Sequence, residues 1–266
     1  LPDDKFRAWV SDIDEILNAG RATEQQLETL IGRLNHAANV IPLARHFLSR
    51  LRWLLERSRN KRDIKVINEP KQDLVLFRDV ILPMAHRGIS LNLLTFRRPT
   101  HIYRTDACEW CLGGYNAAGR AWRWVIPNDL VNKATINLLE FLACLVGIWI
   151  DIIECNTPPS SCLLAMTDNT TAAGWLNKSN FMVEDEDDVQ KQVRLLATRK
   201  LATLVLDADC MLYSQWFEGQ RNIVSDSLSR DFSLSTDSLT ELLTLAVPEQ
   251  IPPNFAISPL PEEISL

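Results

Sequence analysis

The stretch "CLLAMTDNTTAAGWLNKS", Cys162–Ser179, decides how the second half of this chain is read. An apolar run, "CLLAM", has the length of a buried strand and stops at Asp168, where a helix-like segment with a glycine begins. A strand ending on a carboxylate leaves two readings open. Asp168 caps the helix that follows, because a side-chain oxygen there accepts from the free N–H groups of the first turn. Or Asp168 faces a site at the end of a sheet and holds something there.

The segments on either side alternate in character. "THIYRTDACEWCLGGYNAAGRAWRWVIP", Thr100–Pro127, reads as three strands, with Gly113-Gly114 in the second and a turn at Asn116–Gly119. "INLLEFLACLVGIWIDIIE" is a strongly apolar helix, and "CLLAMTD" is the fourth strand. "DVQKQVRLLATRKLATLVLDA" is a long helix, "CMLYSQWF" a fifth strand and "NIVSDSLSRDF" a short last helix. A β-β-β-α-β-α-β-α order combines a meander with crossovers, so the expected sheet is mixed and five-stranded, with helices on its faces. The segment from Ser235 reads as an appended helix and then a proline-rich tail on the surface or disordered.

The first hundred residues read as helices. "DDKFRAWVSDIDEIL" stops at Asn18-Ala19-Gly20, and Thr23 with Gln26 makes a capping box for the next helix, which runs to Pro42. "PLARHFLSRLRWLLERSRN" is expected as one helix, on which Arg45, Arg52 and Arg59 recur every seven residues as a loose stripe. That stripe is either a solvated face or a contact for a nucleic-acid backbone. A fourth helix, "QDLVLFRDVILPMAHRG", is interrupted by Pro83. The expected domains are 1–98, helical; 99–234, α/β; and 235–266, helix and tail.

The chain's 266 residues suffice for one large domain or two modest ones. Its 46% hydrophobic and 23% charged residues are ordinary for a globular protein. No apolar run reaches the ~18 residues that a membrane span needs, and no signal peptide opens the chain. Beginning on Leu1 suggests an excised fragment. Residues 1–100 carry 17 Lys+Arg against 12 Asp+Glu, the rest 11 against 22. A basic part suits phosphates and an acidic part suits cations. The six cysteines are scattered and read as reduced core residues of an intracellular protein, in cytoplasm or nucleus. Cys108 and Cys111 face opposite sides if both lie on one strand. A tight turn would change this, but no second pair completes a zinc site.

Four acids fall at one end of the expected sheet: Asp106 on the first strand, Glu140 early in the apolar helix, Asp168, and Asp226 at the start of the last helix. Each has a bland explanation, a cap for Asp168 and a first-turn acid for Asp226. Glu140 is the exception, because it interrupts an apolar face and must be paired, hydrogen-bonded or metal-bound there. Converging carboxylates repel, and a divalent cation relieves the repulsion; oxygen-only ligands suit Mg²⁺ or Mn²⁺. Two such ions ~3.5–4 Å apart support phosphodiester hydrolysis.

The motifs "TDACEWCLGGY", "NLLEFLA", "TDNTTAAGWLNK" and "NIVSDSLSR", with the acid order Asp–Glu–Asp–Asp, resemble the RNase H domains of retrotransposon reverse transcriptases over roughly residues 100–232. "LETLIGRLNHAANVIPLARHFLSRLRWLL" resembles the thumb and connection helices that precede them, in wording closest to DIRS-like, tyrosine-recombinase retroelements. The resemblance implies an RNase H-like fold and an endonuclease that cuts the RNA strand of RNA–DNA hybrids with two Mg²⁺ or Mn²⁺ ions. It implies that Asp106 bridges both ions, that Glu140 binds one and positions the phosphate and water, and that Asp168 and Asp226 complete the two sites. Backbone near Gly113 and Gly114 would help to read the 2′-hydroxyl; the same glycines otherwise mark a bulge or a crowded packing spot. The expected partners are an RNA–DNA hybrid and the polymerase domain of the same polyprotein, with no membrane.

There are departures. The stretch Trp216–Asp226 lacks the histidine that many RNase H enzymes carry, leaving Glu218 as a candidate. An acidic "VEDEDDVQ", Val183–Gln190, stands where some relatives have a basic protrusion. No Tyr-x-Asp-Asp motif is present, so the chain is not expected to polymerise. Trp122 and Trp124, two apart on the third strand, share a face and are read as core packing with base stacking as the alternative; Trp175 and Trp216 are assigned to the core. The competing readings are a catalytically weak or inactive transposon-derived nucleic-acid or protein binding module, and a DDE-type nuclease, against which the position of the glutamate argues.

Overall fold

The protein is described from a computed structural model over residues 1–89, 95–128, 131, 133–177 and 188–264. It divides into two compact units, one over the described residues up to 89 and one over those from Thr95 onward.

In the second unit, β3 (His101–Ala107), β4 (Cys111–Asn116) and β5 (Arg120–Val125) form an antiparallel meander. The turn between β4 and β5 uses Gly119 at φ 101°, a left-handed backbone that favours glycine. The Asn116 side chain accepts from the N–H groups of Ala118 and Arg120, both at 3.0 Å. On the other side of β3, β6 (Cys162–Thr167) and β7 (Met211–Trp216) add in parallel. Parallel neighbours need a crossover, supplied here by helices α6 (Ile136–Ile153), α7 (Thr170–Asn177) and α8 (Asp188–Asp207). The result is the RNase H-like mixed sheet that the resemblance implied, with one addition.

That addition is a sixth strand. Ser235 caps α10 (Thr236–Ala246), and the tail then returns to the sheet, where β8 (Ala256–Ile257) pairs in parallel with β5. The strand order is β7-β6-β3-β4-β5-β8. A two-residue strand among prolines is too short to alternate, so the sequence pattern reads it as surface chain. What fixes it is tertiary: Ile251, Phe255 and Ile257 pack on a cluster containing Tyr115, Leu239 and Leu243, and the Arg120 guanidinium donates to the carbonyls of Ser258 (3.0 Å) and Pro259 (2.7 Å).

Helix α6 is apolar nearly all round because it is covered nearly all round, by β3, β4, β6, α7 and α8. With 18 residues it is long and apolar enough to cross a membrane, contrary to the expectation that no segment reaches that length, yet 78% of it is buried within the fold. Gly147 lies over Tyr103, Thr105 and Trp122, so one face of the sheet belongs to α6. The opposite face, carrying Tyr115 and Ala121, is covered by α9 (Ile223–Arg230) and α10.

The first unit is helical apart from a two-residue antiparallel ladder between β1 (Arg21–Ala22) and β2 (Ile64–Lys65). Helix α1 (Asp3–Ala19) stops at left-handed Gly20 and buries Trp9, Ile13 and Ile16. The reciprocal Thr23–Gln26 capping box opens α2 (Glu24–Ala37). The segment expected as one helix from Pro42 is instead a 3₁₀ helix over Pro42–Leu48, followed by α3 (Ser49–Arg57). The tighter 3₁₀ winding breaks the seven-residue stripe. Arg45 lies on the 3₁₀ segment and donates to Asn39 (2.6 Å), Arg52 lies on α3 and donates to Asn35 (3.0 Å), and Arg59 is exposed beyond the helix end. Further on, α4 (Glu69–Leu76) passes through a π segment, Phe77–Ile81, into α5 (Leu82–Arg87). Pro83 has no N–H to give, and the widened turn, with Leu82 N–H bonded to the Phe77 carbonyl, takes up the mismatch.

Candidate metal centre

Asp106 is the penultimate residue of β3, the central strand, and only 2% of its surface is exposed. Glu140, in the second turn of α6, is 4% exposed and reaches over the ends of β3 and β6. Its Oε1 accepts from the Ala107 N–H at 3.3 Å, and its Oε2 accepts from the Thr167 hydroxyl at 3.2 Å. Asp168 directly follows β6. It does not cap the next helix: Asn169 does, its Oδ1 accepting from Ala172 N–H (2.9 Å) and its carbonyl from Ala173 N–H (3.0 Å). That leaves the Asp168 carboxylate for the site.

These three acids each offer an oxygen within 4.8 Å of the others. Asp226 is not one of this group. It sits half-buried in the first turn of α9, its Oδ1 held by Arg230 Nε at 2.7 Å, while Arg230 Nη2 lies 3.9 Å from Asp106 Oδ2. Crowding carboxylates out of water favours their neutral forms. Burial, above all, pushes Glu140 up to about 8, and the charges of Asp106 and Asp168 add to the shift. Burial likewise raises Asp106 to about 6; the Ser229 hydrogen bond opposes the rise, while the charges of Asp226 and Asp168 reinforce it. Asp168 is raised too, by burial first, and the Asn222 hydrogen bond works against it.

Several neighbours were not singled out from the sequence. Asn222 is 1% exposed, donates to the Thr105 carbonyl (3.1 Å) and lies close enough to Asp168 to favour its charged form. Ser229 lies against Asp106. Both fall at helical spacing from Asp226, four before and three after, which was the available signal. Trp216, assigned to the core, is 49% exposed, and its indole N–H donates to the Asp168 carbonyl at 2.8 Å. It is the last residue of β7, where covering layers end. Trp122 and Trp175 are buried and Trp124 is half-buried.

Gly113 and Gly114 are buried, and both have a packing explanation. A Cβ on Gly113 would lie 2.6 Å from the Leu228 carbonyl carbon and the Ser229 nitrogen; one on Gly114 would lie 2.9 Å from Thr105 Cγ2. Glu218 is exposed and pairs with Arg221 at 3.7 Å; the neighbouring Gly219 sits directly against Asp168. In the acidic stretch from Val183, residues 183–187 lie outside the described residues. Cys108 and Cys111 close a tight turn, with Cys108 N–H bonded to the Cys111 carbonyl (2.9 Å). All six cysteines are free thiols, and neither of this pair joins the carboxylate group.

No protein-family model matches this chain, and no curated protein matches it. Among solved structures it is similar to a foamy viral protease-reverse transcriptase, the form called dRH, in complex with double-stranded DNA, at 14% identity and a TM-score of 0.30, covering 72% of this chain and 32% of that one. A second, the foamy viral protease-reverse transcriptase in complex with an RNA/DNA hybrid, matches at 13% identity and a TM-score of 0.28, over 77% of this chain and 27% of that one. The chain thus spans a third or less of the length of either.

Proposed function

We propose that this chain is an RNase H-type endonuclease that hydrolyses the RNA strand of RNA–DNA hybrids, of the kind joined to DIRS-like retroelement reverse transcriptases. The observation that carries the proposal is the convergence of Asp106, Glu140 and Asp168 within 4.8 Å at one end of the sheet. The donor set is oxygen only, as Mg²⁺ or Mn²⁺ prefers. Among the described residues no Lys or Arg forms an ion pair with Glu140 or Asp168, so a bound cation is what would let the three acids ionise together. Asp106, Glu140 and Asp168 would hold one ion, and Asp106 with Asp226 a second once Arg230 moves aside. Bound divalent ions supply water activation and charge neutralisation at a phosphodiester.

The protein's own residues do the holding. Ala107 N–H and the Thr167 hydroxyl fix both Glu140 oxygens, and Asn222, beside Asp168, is anchored to the β3 backbone at the Thr105 carbonyl. The hybrid would be delivered by the polymerase domain of the same polyprotein, with Arg45, Arg52 and Arg59 as candidate phosphate contacts. A catalytically weak or inactive nucleic-acid or protein binding module is the second reading, favoured by the ion pair that already occupies Asp226.

The test is cleavage of a labelled RNA–DNA hybrid at low salt with Mg²⁺ or Mn²⁺, comparing wild type with Asp168→Asn. Metal-dependent cutting of the RNA strand that is lost in the variant is the expected result. Hybrid binding without cutting, at high enzyme and with the polymerase domain supplied, supports the second reading instead.

A further inference from the structure

Helix α9 brings more than Asp226 to the carboxylates. Ser229 is fully buried, and its Oγ lies 2.5 Å from Asp106 Oδ2 and 2.9 Å from the Asp226 carbonyl oxygen. A hydroxyl has one proton to donate. The shorter contact goes to the carboxylate, and a bond to a charged acceptor is the stronger of the two. Gly113 makes this approach possible. It is the register partner of Asp106 on β4, and a Cβ there would meet Ser229 N and Leu228 C at 2.6 Å. The glycine lets α9 settle onto the sheet far enough for its serine to reach across to β3.

We propose that Ser229 is a positioning residue for the metal centre: its hydroxyl fixes Oδ2 of Asp106 and thereby sets how the other oxygen is presented to a cation shared with Glu140 and Asp168. The inference rests on the reading of those three acids as a cation site. An aspartate side chain turns easily about its last torsion, which has broad wells. Tying one oxygen removes that freedom before the cation arrives, and partners that orient a ligand in this way strongly affect affinity. Arg230, at 3.9 Å from the same oxygen and 55% exposed, is too distant to do the same. No proton is transferred in this role.

The test is Mn²⁺ binding to the full chain without nucleic acid, followed by electron paramagnetic resonance, in wild type, Ser229→Ala, Ser229→Cys and Ser225→Ala. Ser225 is equally buried on α9, and its hydroxyl has no hydrogen-bond partner among the described residues, so it reports the general cost of losing a hydroxyl from this helix. Ser229→Ala should weaken Mn²⁺ about tenfold or more, and Ser225→Ala should bind as wild type does. Ser229→Cys refills the space with a weak donor and should show the same loss, which keeps the test open if the alanine variant is unstable. Wild-type affinity in either Ser229 variant, or an equal loss in Ser225→Ala, overturns the inference alone. Failure of the wild type to bind Mn²⁺ overturns the cation-site reading, and this inference with it.

Discussion

Replacing Glu140 with glutamine should stabilise the metal-free protein at alkaline pH, although Glu140 is the buried acid most firmly built into the site. In the fold Glu140 keeps its proton until about 8, against 4.5 for an ordinary glutamate. The unfolded chain releases that proton near the ordinary value. Between the two the native state binds more protons than the unfolded state, so stability falls as pH rises. Asp106, raised from 3.8 to about 6, adds a loss of the same sign at lower pH. At ~1.4 kcal/mol per tenfold, the Glu140 displacement amounts to roughly 4–5 kcal/mol above pH 8. Glutamine cannot ionise, and its amide can keep both the Ala107 N–H and the Thr167 hydroxyl as partners. Stability measured by urea denaturation in EDTA from pH 5 to 9 should therefore fall for wild type up to about pH 8, whereas Glu140→Gln should fall only up to about pH 6, where Asp106 loses its proton, and stay flat above it. At pH 8.5 the variant should be the more stable by several kcal/mol. A flat wild-type profile, or a variant no more stable than wild type at pH 8.5, refutes the reasoning.

Divalent cations should reverse that slope. Mg²⁺ in large excess should raise the melting temperature more at pH 8 than at pH 6, because at pH 6 a cation must first displace the Glu140 proton; equal shifts at both values would count against binding at Glu140. Gly113→Ala should destabilise by about 1–3 kcal/mol or more, since the new methyl meets backbone rather than a movable side chain, measured as a shift of the urea midpoint. Arg120→Ala removes the guanidinium that joins Glu154 (3.0 Å) to the carbonyls of Ser258 and Pro259. It should speed hydrogen exchange at the Ala256 and Ser258 amides, which bond the Gly119 and Ala121 carbonyls, and leave α6 protected.

What was legible in the sequence was what repeats or punctuates. The Thr23–Gln26 box, Gly20, the Asn116–Gly119 turn and the apolar α6 are local signals, and each element formed where its signal lies. Glu140 was legible because a carboxylate on an apolar face needs a reason, and Asp106 and Asp168 because they stand on expected strands at one end of the sheet and match the motifs of the resemblance. Their convergence required the topology as well. Ser229 and Asn222 escaped notice because their polar groups matter only once α9 lies on the sheet. Trp216 misled because an indole in an apolar run looks internal, and only the third dimension reveals that the strand ends beside the solvent. Whether Asp168 capped a helix turned on one neighbour: Asn169 is the better-placed acceptor. The 3₁₀ segment at Pro42–Leu48 had no periodicity of its own long enough to be distinguished from α-helix.

The two residues of β8 also bear on how this molecule lives among its own copies. A sheet's outermost strand offers a row of unsatisfied backbone groups to any other chain that meets it. Here the tail occupies that row at Arg120 and Ala121 and is held by the arginine beneath it. A proteolytic cut after Val247 followed by release of the tail would uncover that row. Such a cut would leave the carboxylates untouched and the edge of β5 open to a second molecule, so the trimmed chain should self-associate more readily than the intact one.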